Sequence, residues 1–576
     1  MKKASILLTL CIVATTLLAQ KFPTVFENSN GKQTATYFET IEYYKKLKAA
    51  FPTLSIKTFD TTDAGYPLHL VLFSKDKKFD PRQWHNQHKV VVLVNNGIHP
   101  GEPDGIDASM MLIRDLATNK IVAADNVVFA IIPVYNIGGC LDRGTSSRVN
   151  QNGPEEYGFR GNSENLDLNR DFIKNDSRDA ISFTRIFQWL QPDIFIDNHV
   201  SDGADYQHTM TLLTTQHNKL GGETGAFVHT TFEPALYKSM SAKSWDMVPY
   251  VNFEDGDPDK GWDAYYDPPR YSSGYAALFQ TIAFVPETHM LKPYADRVKS
   301  TYAFMQTIME QSSLFANDIV TKRKADIENN RKKKDFAVSW AVDTTRFDQV
   351  LFKGYQTNTK TSDITGLPRM FYDHTKPFEK QVKFYNTFNP VVTIQKPSAY
   401  IIPQGWHEAI DRLKNNGVEL KRLTKDTTLT VEFYHVDDYK SMPRAYEKHH
   451  RNFDLVVSKR TERVHFVKGD YIIYTGQRSD RYIIETLEPQ GDDSFFSWNF
   501  FDAILQQKEW YSDYRLEDVA GALLQQHPEI KQALEEKKRS DPQFAANAKA
   551  QLQFVYMHSP YYEQAHLRIP VFRVTE

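Results

Sequence analysis

The sequence predicts an α/β unit followed by a second, β-rich unit. Short continuous apolar runs, such as residues 89–94 (KVVVLV) and 126–134, have the make-up of strands buried on both faces of a central sheet. Amphipathic helical stretches separate these runs up to about residue 315. Beyond about residue 336 the texture changes to many strands with a helical end, an α+β pattern.

The elements follow in order. Residues 37–50 are an amphipathic helix stopped by Phe51-Pro52. Residues 68–73 (LHLVLF) are a strand. The buried run 89–94 ends at Asn95-Asn96-Gly97, directly before His99, and 102–116 is helical. The strand over 126–134 ends at Tyr135-Asn136-Ile137-Gly138-Gly139. Residues 176–190 form a helix, and 193–197 (DIFID) a strand running into His199. A strand over 281–285 leads to Glu287. In α/β sheets, ligands gather at the carboxyl ends of strands, and three of these strands deliver chemistry-bearing residues there. Residues 321–336, rich in Lys and Arg, read as a solvated helix end and a charged linker. In the second unit, 381–385, 391–395, 428–434, 463–467 and 471–474 read as strands. Lys468-Gly469-Asp470 is a hairpin turn, 406–416 a helix stopped by Gly417, and 516–556 helical. No repeat or low-complexity segment occurs.

The chain has 576 residues, which calls for more than one domain. With 41% apolar and 24% charged residues it has the make-up of an ordinary globular protein. Residues 1–20 stand apart: Lys2-Lys3, an apolar run, then Gln20 and Lys21, the pattern of a secretory signal peptide. An uncleaved membrane anchor is the alternative, and the run is short for one. Loss of this leader removes two lysines, leaving 67 basic against 72 acidic residues, a formal −5. Nucleic-acid binding is not indicated. Of two cysteines, Cys11 leaves with the leader, so Cys140 alone remains and no internal disulfide is expected. A periplasmic or secreted location follows, without stable membrane insertion; the oligomeric state is open.

The chemistry rests on four stretches: His99-Pro100-Gly101-Glu102, Asn169-Arg170, His199 and Glu287. Two imidazoles and a carboxylate are the usual protein ligands of one catalytic zinc ion per chain, with a position left for water. His99 and Glu102 converge if the segment turns sharply at Pro100-Gly101. His199 is the third ligand by position, with His208, His217 and His289 as rivals. Zinc so held polarises a carbonyl and lowers the pKa of bound water. Glu287, after an apolar strand, suits a general base. Asn169 and Arg170 offer an amide and a fixed charge to a substrate carboxylate.

The stretch Asn165-Leu166-Asp167-Leu168-Asn169-Arg170-Asp171-Phe172 makes the chain resemble the carboxypeptidase A/B-like zinc metallopeptidases, over roughly residues 34–318. The resemblance implies a mixed β-sheet flanked by helices. With the readings above, the chain divides into a signal peptide at 1–20, a catalytic domain at 21–320, a charged linker at 321–336 and a β-rich accessory domain with a helical C-terminal segment at 337–576. It implies an exported carboxypeptidase acting on peptides. His99, Glu102 and His199 would bind zinc, Glu287 would shuttle the proton, and Asn169 and Arg170 would hold the terminal carboxylate. Arg160 would stabilise the oxyanion, with Arg148 as a weaker rival. A substrate-capping tyrosine is implied among Tyr265, Tyr266, Tyr271 and Tyr275. A peptidoglycan peptide amidase, an acyl-amino-acid deacylase and a decayed peptide- or glycan-binding module are the rival readings.

Overall fold

The computed structural model describes residues 22–251 and 256–575; the leader read over residues 1–20 lies outside the described residues. The first half is built on a mixed sheet. Its strands are β1 (Leu54–Thr61), β2 (Pro67–Phe73), β3 (Val90–Asn95), β4 (Val127–Ile132), β5 (Ile194–Asp197), β6 (His199–Ser201), β7 (Met210–Thr214), β8 (Met247–Pro249) and β10 (Ile282–His289). They lie in the order β1-β2-β4-β3-β5-β10-β7-β8, with β6 beside β10. A short β9 (Trp262–Asp263) lies outside this sheet.

β4, β3, β5 and β10 run parallel, so their carboxyl ends share one edge. Parallel neighbours need crossovers, supplied by the helices Asp104–Ala117 and Arg178–Leu190. Register pairs Asn95 with Asp197 and Glu287 with His199, which brings the ends of three strands to one place.

Alternation along β3 splits the core. Val90, Val92 and Val94 face the helices Tyr37–Ala50, Asp104–Ala117 and Tyr294–Leu314, whereas Val91 and Leu93 face Arg178–Leu190. The helix Tyr37–Ala50 begins with a reciprocal capping box between Thr36 and Glu39, which satisfies two otherwise orphaned backbone donors. Every residue of Asp104–Ala117 is buried, so this helix is held by packing on both sides.

In the second half, β11 (Asp335–Val342) pairs with β14 (Phe388–Gln395). β12 (Asp348–Thr361) and β13 (Pro368–Tyr385) form a long ribbon that joins β9. A further sheet has the order β16-β19-β15-β20-β17-β18, from β15 (Ala399–Ile402), β16 (Lys421–Arg422), β17 (Thr427–Ser441), β18 (Asn452–Phe466), β19 (Tyr471–Tyr474) and β20 (Phe572–Val574). Four helices between Asp513 and Met557 end the chain's α content. Among the described residues, no helix is long and apolar enough to cross a membrane.

One expectation is refined and one corrected here. Residues 321–336 largely continue the helix Ala316–Lys332; most charges in this run are exposed, while two are buried. Arg323 pairs with Asp193 at 3.1 Å, and Asp326 accepts from the Glu223 and Thr224 backbone N–H groups. Residues 468–470 do turn, but β18 and β19 are not neighbours, so the turn closes no hairpin. The two halves also share one apolar core: Leu70, Val91 and Phe187 belong to the same cluster as Tyr400, Ile410 and Tyr482.

His208 ties the ribbon to the first half. Its Nδ1 faces the Asp246 carbonyl at 3.2 Å and its Nε2 accepts from the Lys353 N–H at 3.2 Å, which fixes a neutral ring. Burial lowers its pKa to about 4. The unfolded chain therefore takes up a proton first as pH falls, and stability is lost between about pH 6.5 and 4. That group alone accounts for on the order of 3 kcal/mol. Urea melts of His208→Gln and the parent at pH 7 and 4.5 should differ, the variant losing less stability on acidification. Parallel losses would refute this account.

Candidate metal centre and active-site cleft

β3 delivers the first pair. Gly97, at φ +62°, turns the chain off the strand end. Gly101 then passes so close to Arg148 that a Cβ there would lie 2.7 Å from its Cδ. The resulting tight bend sets His99 and Glu102 face to face, His99 Nδ1 lying 3.2 Å from Glu102 Oε1. His199, just past β5, brings its own Nδ1 to 3.2 Å from Glu102 Oε2. All three side chains are buried, and their donor atoms lie within 4.8 Å of one another. Two imidazoles and one carboxylate so arranged could hold a metal ion, and the donor set is that of zinc.

Carboxylates behind the rings strengthen this fit. His99 Nε2 meets Asp167 Oδ1 at 2.9 Å, and His199 Nε2 meets Asp197 Oδ2 at 3.0 Å. A carboxylate on Nε2 selects the tautomer with its proton there and leaves the Nδ1 lone pair free to bind a metal. Asp197 is itself held by Asn95 Nδ2 at 2.9 Å. Although burial opposes it, His99 and Arg148 hold the Glu102 carboxyl well below the usual range. Glu102 also accepts from the Val200 N–H at 2.9 Å.

The three donors open into a cleft of about 320 Å³ that is also lined by Glu287, Arg148, Arg160, Asn169 and Arg170. Burial raises the Glu287 pKa; His199 opposes this and the Glu102 and Asp197 carboxylates add to it. Arg148 is locked by Glu102 (3.0 Å), Gln151 (2.6 Å) and the Val200 carbonyl. Arg160 grips Asp167 through Nε and Nη2, leaving Nη1 directed at the metal-ligand side, 3.3 Å from His99 Nδ1. The Arg170 guanidinium stacks 4.5 Å above the Tyr271 ring, and the Asn169 carbonyl accepts from its Nη1.

Tyr275 is a correction. It lies outside the cleft, in the aromatic core beside Phe187, and its hydroxyl donates to Asn416 Oδ1 at 2.7 Å. Tyr266 also turns away, bonding Asp492. Tyr265 and Tyr271 line the cleft, joined by Tyr250, which the sequence reading missed because no spacing ties it to Glu287. The rival histidines do not join the donors. His208 serves the ribbon, His217 stacks on His229 with ring centroids 4.1 Å apart, and His289 Nε2 faces the Ala204 carbonyl. Asp167 and Asp197 were also missed as partners of the rings; an acid two residues before His199 was the one available signal.

The family model described as zinc carboxypeptidase matches residues 40–219. The chain is 23% identical over 433 residues to carboxypeptidase 2 of Trichophyton rubrum, covering 72% of this chain and 74% of that protein. It is 22% identical over 515 residues to carboxypeptidase 2 of Trichophyton equinum, covering 82% and 85%. A metallo-carboxypeptidase structure from Burkholderia cenocepacia aligns at 16% identity and a TM-score of 0.35, over 48% of this chain and 69% of that one. Residues 40–219 thus make up a zinc carboxypeptidase domain, a metallopeptidase hydrolase unit, and the His99–Glu102–His199 cluster that could hold the metal lies within it.

Proposed function

We propose that the protein hydrolyses the amide bond next to a free C-terminal carboxylate. The observation that carries this reading is one cleft lined at once by the His99, Glu102 and His199 donors, by Glu287 and by the Arg170 guanidinium. A zinc ion held by those donors supplies Lewis acidity, polarising the scissile carbonyl and acidifying water. Glu287 takes the proton of the attacking water and passes it to the departing amine nitrogen. Its burial keeps it basic enough to accept that proton. Asn169 and Arg170 hold the terminal carboxylate, the planar guanidinium suiting two parallel hydrogen bonds. Arg160 donates from Nη1 to the carbonyl oxygen as charge develops on it. Arg148, bound to Glu102, keeps that ligand ionised and shapes the wall. Tyr250, Tyr265 and Tyr271 are the candidates for covering a bound substrate.

The test is digestion of a peptide pool carrying free and amidated C-termini, with and without chelator, read by mass spectrometry. Chelator-sensitive loss of single C-terminal residues, from free acids alone, is the expected result. Cleavage of amidated peptides at equal rates would reject the exopeptidase reading. Arg170→Ala should lower kcat/KM on free-acid peptides by about 10- to 100-fold, the worth of a charged hydrogen-bond pair. An equal loss on amidated substrates would remove Arg170 from that role. We also propose export, on the pattern of residues 1–20; N-terminal sequencing of protein from its native cells should find the chain starting near Gln20, and an intact Met1 would refute it.

A further inference from the structure

The loop between β17 and β18 belongs to the second half of the chain, yet its tip touches the motif beside the cleft. Tyr446 and His449 exchange backbone hydrogen bonds, so Glu447 and Lys448 form a two-residue turn. Both stand at positive φ, +49° and +60°. Such turns favour Asn-Gly because a side chain in the left-handed region costs roughly 1–2 kcal/mol per residue. A Glu-Lys pair here is therefore kept against the local preference of the backbone, and side-chain contacts at the tip show what it gains.

Glu447 Oε2 accepts from the Asp167 N–H at 2.8 Å, a contact between residues 280 apart in sequence. The Asp167 side chain is the group that holds His99 Nε2 and Arg160. The tip is fixed on both sides of this contact. His449 Nε2 meets the buried Asp176 carboxylate at 2.7 Å, and the Tyr446 ring stacks on Trp498. A loop that merely covered surface would need neither a carboxylate at this turn nor a backbone amide of the motif as its partner.

We propose that Glu447 is a positioning residue for the metal centre: by anchoring the Asp167 backbone it holds the Asp167 carboxylate against His99, so the second half of the chain completes the site. This rests on the proposed role of His99 as a metal ligand. Removing the anchor lets Asp167 drift and loosens the ring it orients. Partners behind a metal ligand are worth 10- to 100-fold in affinity or activity, and Glu447 acts one bond further back, so the lower end applies.

The test uses the full chain and zinc ion, with affinity read by competition against a chromophoric chelator and hydrolysis read in parallel. Glu447→Ala should weaken zinc binding by about 10-fold and lower kcat/KM on free-acid peptides, with its zinc-free thermal melting unchanged. Glu447→Gln keeps an acceptor oxygen and should recover zinc affinity to within about 3-fold of the parent. Lys448→Ala, at the neighbouring exposed position, should leave both readings unchanged. Parent-like zinc affinity in Glu447→Ala overturns the proposal, whether or not hydrolysis falls. So does a Gln variant as weak as the Ala variant. The zinc reading stands even if the parent cleaves no peptide, so failure of the peptidase reading is seen separately.

Discussion

Glu287→Gln is expected to keep one zinc ion per chain and to lose hydrolysis by on the order of 10³- to 10⁴-fold in kcat. Glu287 is not among the clustered donors, so its replacement leaves the His99, Glu102 and His199 set intact. Glutamine is nearly the same size and preserves the packing of β10, where Glu287 pairs in register with His199. It cannot accept and return a proton, however, and that is the one task the proposed mechanism gives this side chain. Such a loss corresponds to about 4–5 kcal/mol of transition-state stabilisation. The binding groups Asn169 and Arg170 are untouched, so KM should stay within a few-fold while kcat collapses. Zinc content, kcat and KM on one free-acid peptide decide the matter. Near-parent turnover would mean that another group moves the proton, and loss of zinc would mean that Glu287 is a ligand.

The frame of the first sheet was legible because its central strands are short, largely apolar runs. Residues 89–94, 193–197 and 281–285 could be placed as central strands by composition alone, and His99, His199 and Glu287 followed as the residues at their ends. What sequence could not carry was contact made by register between distant loops. Asp167 reaches His99 across 68 positions, and nothing near Asp167 marks it as the partner of a ring. Tyr275 failed for a related reason. In sequence it is one of several tyrosines before Glu287, but the short helix Ser272–Ala277 turns it into the core, where Asn416 of the second half receives its hydroxyl. Most of the charged run at 321–336 is an exposed helix end, as its composition suggests, but sequence cannot reveal that Arg323 within it is buried against Asp193. The accessory domain was expected to pack against the first unit, but only the structure shows which residues meet: Tyr400, Ile410 and Tyr482 join Leu70, Val91 and Phe187 in one core.

His199→Ala is expected to empty the centre of zinc and bring hydrolysis to background. His199 provides one of three donors, and it is the only one from beyond β5; His99 and Glu102 alone come from a single bend. Two protein ligands leave a catalytic zinc ion too few fixed bonds to compete with water and chelator. The neighbouring change Asp197→Asn separates ligand from support. It removes the negative charge behind His199 Nε2 but leaves the imidazole itself, so zinc should still bind, 10- to 100-fold more weakly. The two variants also differ in stability. His199→Ala strips the buried Asp197 carboxylate of its ring partner, leaving Asn95 to satisfy it, at a cost of about 1–3 kcal/mol. Folding must therefore be checked by thermal melting before zinc is counted. Stoichiometric zinc in a folded His199→Ala protein would place the third ligand elsewhere. The rivals at 208 and 289 are already committed to the Lys353 amide and the Ala204 carbonyl, so that result would require a rearranged site rather than a simple exchange of histidines.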